Sequence, residues 1–182
     1  MNKEQMKEFI HKNCILNAKN INLSSGSVSN IYFDCKKAML HGPFLESLSD
    51  WVISCAEQLN PKANIIGGPS IGADFIVAGV IIRANQINFP LQDACIVRKE
   101  AKSHGIESKI ENKPPSFSRI MVVEDVITTG GSISRACDEF LKDGHTISGI
   151  VSIIDRKQGG CEFLSNKYNT TVFSLFNIED FI

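Results

Sequence analysis

The chain has no apolar run approaching the ~20 residues of a membrane-spanning helix, which argues against a transmembrane protein. Its first residues, MNKEQMKEFIHKNC, carry charges on both sides of Phe9 and Ile10 and lack the apolar centre of a secretory signal, so a cytoplasmic location is expected. Nor is there an excess of one charge. Lys and Arg number 19 against 20 Asp and Glu, a net charge of −1, so neither nucleic acid nor a membrane surface is an expected partner. The six cysteines, at 14, 35, 55, 95, 137 and 161, include no CxxC pair and no zinc-ligand spacing, so they read as reduced, structural thiols. Internal repeats and low-complexity segments are also missing. What remains is 182 residues, 43% hydrophobic and 21% charged, the composition of a globular protein at a length that suits one domain spanning 1–182.

Periodicity places the elements. Lys3 to His11 reads as a short helix, with Asn2 as N-cap and Gln5 at the capping-box position. Asn20 to Phe33 suggests a small hairpin around a Ser-Ser-Gly turn. Pro43 fits the first turn of a helix to about Gln58, with Leu45, Leu48, Val52, Cys55 and Leu59 on one face. A short strand at Asn64–Ile66 ends at Gly67-Gly68-Pro69, and a helix at Ala73–Ala84, apolar nearly all round, is expected to be buried. Ala94–Val97 and Arg119–Val123 read as strands, Ser132–Lys142 as a helix closed by Gly144, and Thr146–Ile154 and Val172–Leu175 as further strands. Continuously apolar strands alternating with helices predict an α/β fold, a central, mainly parallel sheet with helices on both faces. In such sheets ligands bind beyond the C-terminal strand ends, where Gly67-Gly68, Arg98-Lys99, Glu124-Asp125 and Asp155-Arg156 stand.

Ile120–Ser132, IMVVEDVITTGGS, is the most informative stretch. An apolar strand runs into two acids, then into threonines, glycines and a serine that open a helix. Such a loop can turn several backbone N–H groups to one phosphate. Glu124 and Asp125 would repel a bare phosphate. They suit a ribose diol or the water shell of a phosphate-bound Mg²⁺. The pattern points to a phosphorylated sugar. An ordinary polar turn would explain one or two of those residues, not all of them.

The second signal is VRKEAKSHG at 97–105. From 98 to 113 there are five cations (Arg98, Lys99, Lys102, Lys109, Lys113) against Glu100, Glu107 and Glu111. Three of the five fall at the start, directly after a strand end. That placement suits a flexible arm closing over a polyanion, although a solvated charged loop is the plainer alternative. His104 could add charge or a proton to a leaving pyrophosphate.

Together, RKEAKSHG and VVEDVITTGGS resemble the type I phosphoribosyltransferases, and within them the orotate phosphoribosyltransferase family. SSGSVSNIYFD at 24–34 resembles that family's N-terminal hood, IIGGPSIGAD at 65–74 its pyrophosphate loop, IDRKQGG at 154–160 its orotate-side loop, and SLFNIEDF at 174–181 its C-terminal end. The resemblance implies a type I phosphoribosyltransferase fold in which 1–40 contribute a hood and 98–115 form a flexible catalytic loop. It implies that Arg98, Lys99, Lys102 and His104 contact the pyrophosphate of phosphoribosyl pyrophosphate. Glu124 and Asp125 would hold the ribose hydroxyls, and Val126, Ile127, Thr128, Thr129, Gly130, Gly131 and Ser132 would wrap the 5′-phosphate. Thr128, Arg156 and Phe33 would meet orotate. Lys102, His104 and Asp125 would carry catalysis, Mg²⁺ would arrive on the substrate without direct protein ligands, and a homodimer would share its active sites. A surface ion pair for Asp155-Arg156 and a core position for Phe33 are the alternatives from the residues themselves. The chain departs from the family pattern at Ile71 and Ser24, where cations are frequent, and at Asn30 and Phe75, where Pro is frequent.

The implied reaction moves a phosphoribosyl group to N1 of orotate, giving orotidine 5′-monophosphate and pyrophosphate, a step of pyrimidine biosynthesis. Two other functions share parts of the pattern. A purine or uracil phosphoribosyltransferase would keep the 124–132 loop without needing Arg156. A non-catalytic regulator binding the same donor would keep the acid pair but lose the loop cations.

Overall fold

A computed structural model describes residues 1–22, 28–91, 93–100 and 108–182, with 17–22 and 28–30 described at the level of the backbone. Helix α1 (Lys3–Asn13) begins where expected. The Asn2 side chain accepts from the Gln5 N–H and the Gln5 side chain accepts from the Asn2 N–H, both at 2.9 Å. Strands β1 (Ile15–Asn22) and β2 (Val28–Phe33) pair antiparallel, Ile15 opposite Phe33. A short helix α2 (Lys36–Met39) leads to α3 (Gly42–Gln58), with Pro43 in its first turn and Phe44, Leu48, Val52 and Cys55 buried.

The remaining elements build one sheet. They are β3 (Ile65–Pro69), α4 (Asp74–Gln86), β4 (Asp93–Val97), β5 (Ile110–Glu111), β6 (Arg119–Ile127), α5 (Gly131–Lys142), β7 (Thr146–Asp155), α6 (Gly160–Tyr168) and β8 (Val172–Asn177). The strand order is β5-β4-β3-β6-β7-β8, parallel throughout except for β5. Both faces are covered, as expected for a parallel sheet. Along β6, Ile120 and Val122 join a core with Ile133, Cys137 and Phe140 of α5 and Leu164 of α6. Met121 and Val123 join the core of Leu48 and Val52 on α3 and Ile76 and Val80 on α4.

Several expectations are corrected. Strand β6 does not stop before the acids but runs through Glu124 and Asp125 to Ile127, paired with β7 as far as Asp155. Neighbouring strands satisfy the backbone there, so two acidic side chains do not end the strand. Strand β3 likewise continues through Gly67, Gly68 and Pro69. A Cβ at Gly68 would overlap the Val123 carbonyl and one at Gly67 would stand 2.6 Å from the Cys95 carbonyl, so only glycine fits between these strands. In the 98–115 segment, Ile110–Glu111 pair with Ile96 and Val97 and cover the edge of β4. Two residues are too few to show a period. Helix α4 is not buried all round. Ile76, Val77, Val80 and Ala84 face the core while Ile82 is 61% exposed. The six cysteines are free thiols, and burial pushes those of Cys55, Cys95 and Cys137 up to about 12, which leaves them unreactive.

Candidate active site

The C-terminal ends of β2, β3, β4, β6 and β7 open into one cleft of about 750 Å³. Of the residues singled out in the sequence, Phe33, Arg98, Lys99, Glu124, Asp125, Val126, Thr128, Thr129, Gly130, Gly131, Ser132 and Arg156 line it. Lys102, His104 and Ser24 lie outside the described residues. Ile127 does not line the cleft. It is the last residue of β6, its side chain is buried in the α5 core, and its carbonyl accepts the Arg156 N–H at 2.9 Å.

The acid pair forms the floor. Glu124 is 6% exposed and accepts from the Ser132 hydroxyl at 2.9 Å, while Asp125 accepts from the Val126 N–H at 2.8 Å. Gly72, in the turn after β3, lies so close that a Cβ there would overlap the Glu124 carboxylate. Burial, and then the neighbouring Asp125 charge, hold the Glu124 carboxyl well above its usual value; burial likewise raises Asp125. The floor is therefore short of positive charge. Its hard oxygen donors fit hydroxyls or the hydration shell of a magnesium ion.

Behind the floor, Gly130 turns the chain at φ +81° into α5, whose N-terminus has no side-chain cap. Uncapped N–H groups at a helix start are an anion site. Helix α6, not expected from the sequence, backs this loop. A Cβ at Gly160 would stand 2.5 Å from the Thr128 carbonyl and 2.8 Å from the Gly130 nitrogen, so glycine is required at 160. The backing helix is held by Tyr168 and Lys167, which contact Asp138 at 2.8 and 2.9 Å.

At the other end Arg156 is 4% exposed and donates from Nη1 to the Ile31 carbonyl at 3.1 Å, with its guanidinium 5.6 Å from the Phe33 ring. Asp155 accepts from the Lys157 N–H at 2.8 Å. Both Asp155 and Arg156 are buried, so the surface ion pair does not describe them. Phe33 is 4% exposed and contacts Phe181 edge-on at 5.4 Å, so it belongs to the core and also lines the cleft. A buried guanidinium over an aromatic ring suits a flat, anionic ligand.

The outer wall carries cations already paired with acids. Arg98 stands 3.3 Å from Glu111, and Lys109 and Lys142 stand 3.5 and 2.9 Å from Glu139. Ile71, 56% exposed, lines the cleft where the family pattern often has a cation, and the Ser70–Ile71 peptide is cis. Sequence reasoning missed Lys36, Arg135 and Lys142 among the lining residues. The turn-by-turn spacing of Arg135, Asp138, Glu139 and Lys142 along α5 was the available signal.

No family model matches the chain. The orotate phosphoribosyltransferase of Thermosynechococcus vestitus is 38% identical over 168 residues, covering 90% of this chain and 84% of that protein. That of Leptospira biflexa is 36% identical over 166 residues, covering 87% and 85%. Among solved structures, Mycobacterium tuberculosis orotate phosphoribosyltransferase superposes with a TM-score of 0.82 at 25% identity, over 98% of each chain.

Proposed function

The chain belongs to the orotate phosphoribosyltransferase family, and we propose that the cleft described above performs that family's transfer with the following division of labour. Phosphoribosyl pyrophosphate lies along the 124–132 segment. The 5′-phosphate sits on the Val126–Ser132 turn and the N-terminus of α5, and the ribose hydroxyls face Glu124 and Asp125. Orotate lies between Phe33 and Arg156, with Thr128 at its edge. A guanidinium facing the orotate carboxylate discriminates against uncharged uracil, because a bidentate charged pair is lost with the wrong base. The observation that carries the reading is the placement of buried Arg156 and the phosphate-type loop in one cleft, on either side of the acid pair.

In the transfer the C1–O bond to pyrophosphate breaks, the bonding pair leaves with the pyrophosphate, and the orotate N1 lone pair forms the new bond to C1. Orotate is an anion through its carboxylate; the N1 proton leaves to water or to the departing pyrophosphate as the N1–C1 bond forms, and no covalent enzyme residue is needed. Positive character develops on the sugar over Glu124 and Asp125, and negative charge develops toward Arg98, Lys99, Lys102 and His104. Catalysis is then mainly positioning and fixed charge. Magnesium, carried in by the substrate, would supply further positive charge to the pyrophosphate. Glu124 and Asp125 are the residues whose donors suit its water shell. Closure of the 98–115 arm would keep water from the donor. Lys102 and His104 would reach the site of a second subunit in a homodimer, and the enzyme would work in the cytoplasm. Among the described residues no helix is long and apolar enough to cross a membrane.

The test is turnover. Purified protein with phosphoribosyl pyrophosphate, Mg²⁺ and orotate is expected to consume orotate, followed by loss of its absorbance, while uracil and adenine are not consumed. Turnover of another base alone would retain the donor site and overturn the orotate assignment. Tight donor binding without turnover of any base would favour the regulator.

A further inference from the structure

We infer that Arg135 is a ligand of the 5′-phosphate, a cation added to a cradle otherwise made of N–H groups and hydroxyls. The inference rests on the reading of the 126–132 turn as the phosphate loop.

Arg135 lies one turn into α5 from Gly131 and lines the cleft. Its Nη1 comes within 3.6 Å of the point where a Gly131 Cβ would stand, and the Thr129 hydroxyl reaches within 3.9 Å of the same point. A guanidinium and a hydroxyl therefore flank a space that glycine leaves open at the lip of the loop. A phosphate oxygen seated there would meet both.

Several other cations of this wall are already paired with acids among the described residues. Lys36 pairs with Asp34 at 2.8 Å, and Arg98, Lys109 and Lys142 with Glu111 and Glu139. The carboxylates nearest in sequence to Arg135 are taken, Asp138 by Lys167 and Tyr168 and Glu139 by Lys142 and Lys109. Arg135 itself makes no hydrogen bond or ion pair among the described residues. The cradle also lacks one donor, because the Ser132 hydroxyl donates to Glu124. A phosphate beside Glu124 and Asp125 needs a compensating charge, and Arg135 is a guanidinium able to grip it with two N–H groups.

The test uses full-length protein and ribose 5-phosphate, with ribose as the control lacking phosphate, by titration calorimetry. Arg135→Ala is expected to weaken ribose 5-phosphate binding roughly 10- to 100-fold, the effect of losing a hydrogen bond to a charged group. Arg135→Lys should recover part of the loss and Arg135→Gln little of it. In turnover, the KM for phosphoribosyl pyrophosphate should rise while that for orotate stays within about twofold. Equal ribose 5-phosphate affinity in wild type and Arg135→Ala overturns the inference. So does an equal loss for ribose 5-phosphate and orotate, which would mark a general disturbance of the fold. If wild type binds ribose 5-phosphate through Arg135 yet transfers no base, the inference stands and the orotate function fails. If orotate is turned over normally by Arg135→Ala at low donor concentration, the function stands and the inference fails.

Discussion

Two glutamates on the same cleft live in opposite electrostatic worlds. Glu124 sits in a central strand, 6% exposed, beside Asp125 and against Gly72. Burial and the like charge raise its carboxyl well above the usual range. Glu139 stands on α5, where the Lys142 hydrogen bond, and then the Lys109 charge, hold its carboxyl below that range. The floor is thus strained by its own charge and gains when a ligand brings hydroxyls or cations. The rim is already compensated and open to water. Stability is invested in packing at the floor. At the rim, Arg98, Lys109 and Lys142 are held by partly exposed acids.

The largest effect that sharpens this contrast belongs to the proposed role of Lys102 and concerns rate. Lys102→Ala should raise the barrier by roughly 2.7–4 kcal/mol, about a hundred- to a thousandfold in kcat, by analogy with removing one positioned donor to a developing charge. The thermal midpoint should hardly move. A parallel loss of stability would mean that the arm is part of the core after all.

The next effect belongs to the floor and concerns stability. Gly68→Ala would press a methyl into the Val123 carbonyl and set it 2.7 Å from the Ala73 Cβ. Denaturant unfolding should show a loss of about 3 kcal/mol, the upper end for overpacking a well-filled interior. An unchanged midpoint would show that β3 and β6 can part, and that the floor is not rigid.

Glu124→Gln separates the two roles of the floor. Because the folded carboxyl is raised, the native state binds more protons than the unfolded chain, and stability falls as pH climbs from the ordinary value of 4.5 through the folded value. Gln does not titrate. At pH 7 the ligand-free variant should therefore be more stable than wild type. The advantage should shrink as the pH is lowered toward 4.5, and transfer activity should drop. A less stable variant at pH 7 would mean that the hydrogen bond from Ser132 outweighs the burial of charge.

The sequence revealed the contrast unevenly, for physical reasons. The capping box at Asn2 and Gln5, the α3 face and the apolar β6 were legible because local chemistry and tertiary packing agree there. That the acids face the cleft was legible, because an ordinary polar turn explains only part of the run from Glu124 to Ser132. Their place inside a strand was not, because the pairing of Glu124 with Ser152 depends on a neighbour far along the chain. The same holds for Gly160, whose need for glycine comes from the Thr128 carbonyl, and for β5, which forms only because β4 offers an edge. Arg135 looked like any exposed helix residue until the fold set it over Gly131.

The smallest effect lies at the rim and has the opposite pH signature. Glu139 is partly exposed, and its pairs with Lys109 and Lys142 are screened by water, so Glu139→Gln should cost less than about 1 kcal/mol. Its folded carboxyl is lowered, so its contribution is present above the ordinary value of 4.5 and is lost as pH falls through the folded value. Unfolding curves of wild type and variant should therefore differ slightly at pH 7 and converge in acid, and salt should narrow the gap at pH 7. For Glu124→Gln the acid limb moves the other way relative to wild type, from a gain toward parity. A Glu139→Gln cost well above 1 kcal/mol, insensitive to salt, would place the rim in the same dry, rigid class as the floor and remove the distinction between them.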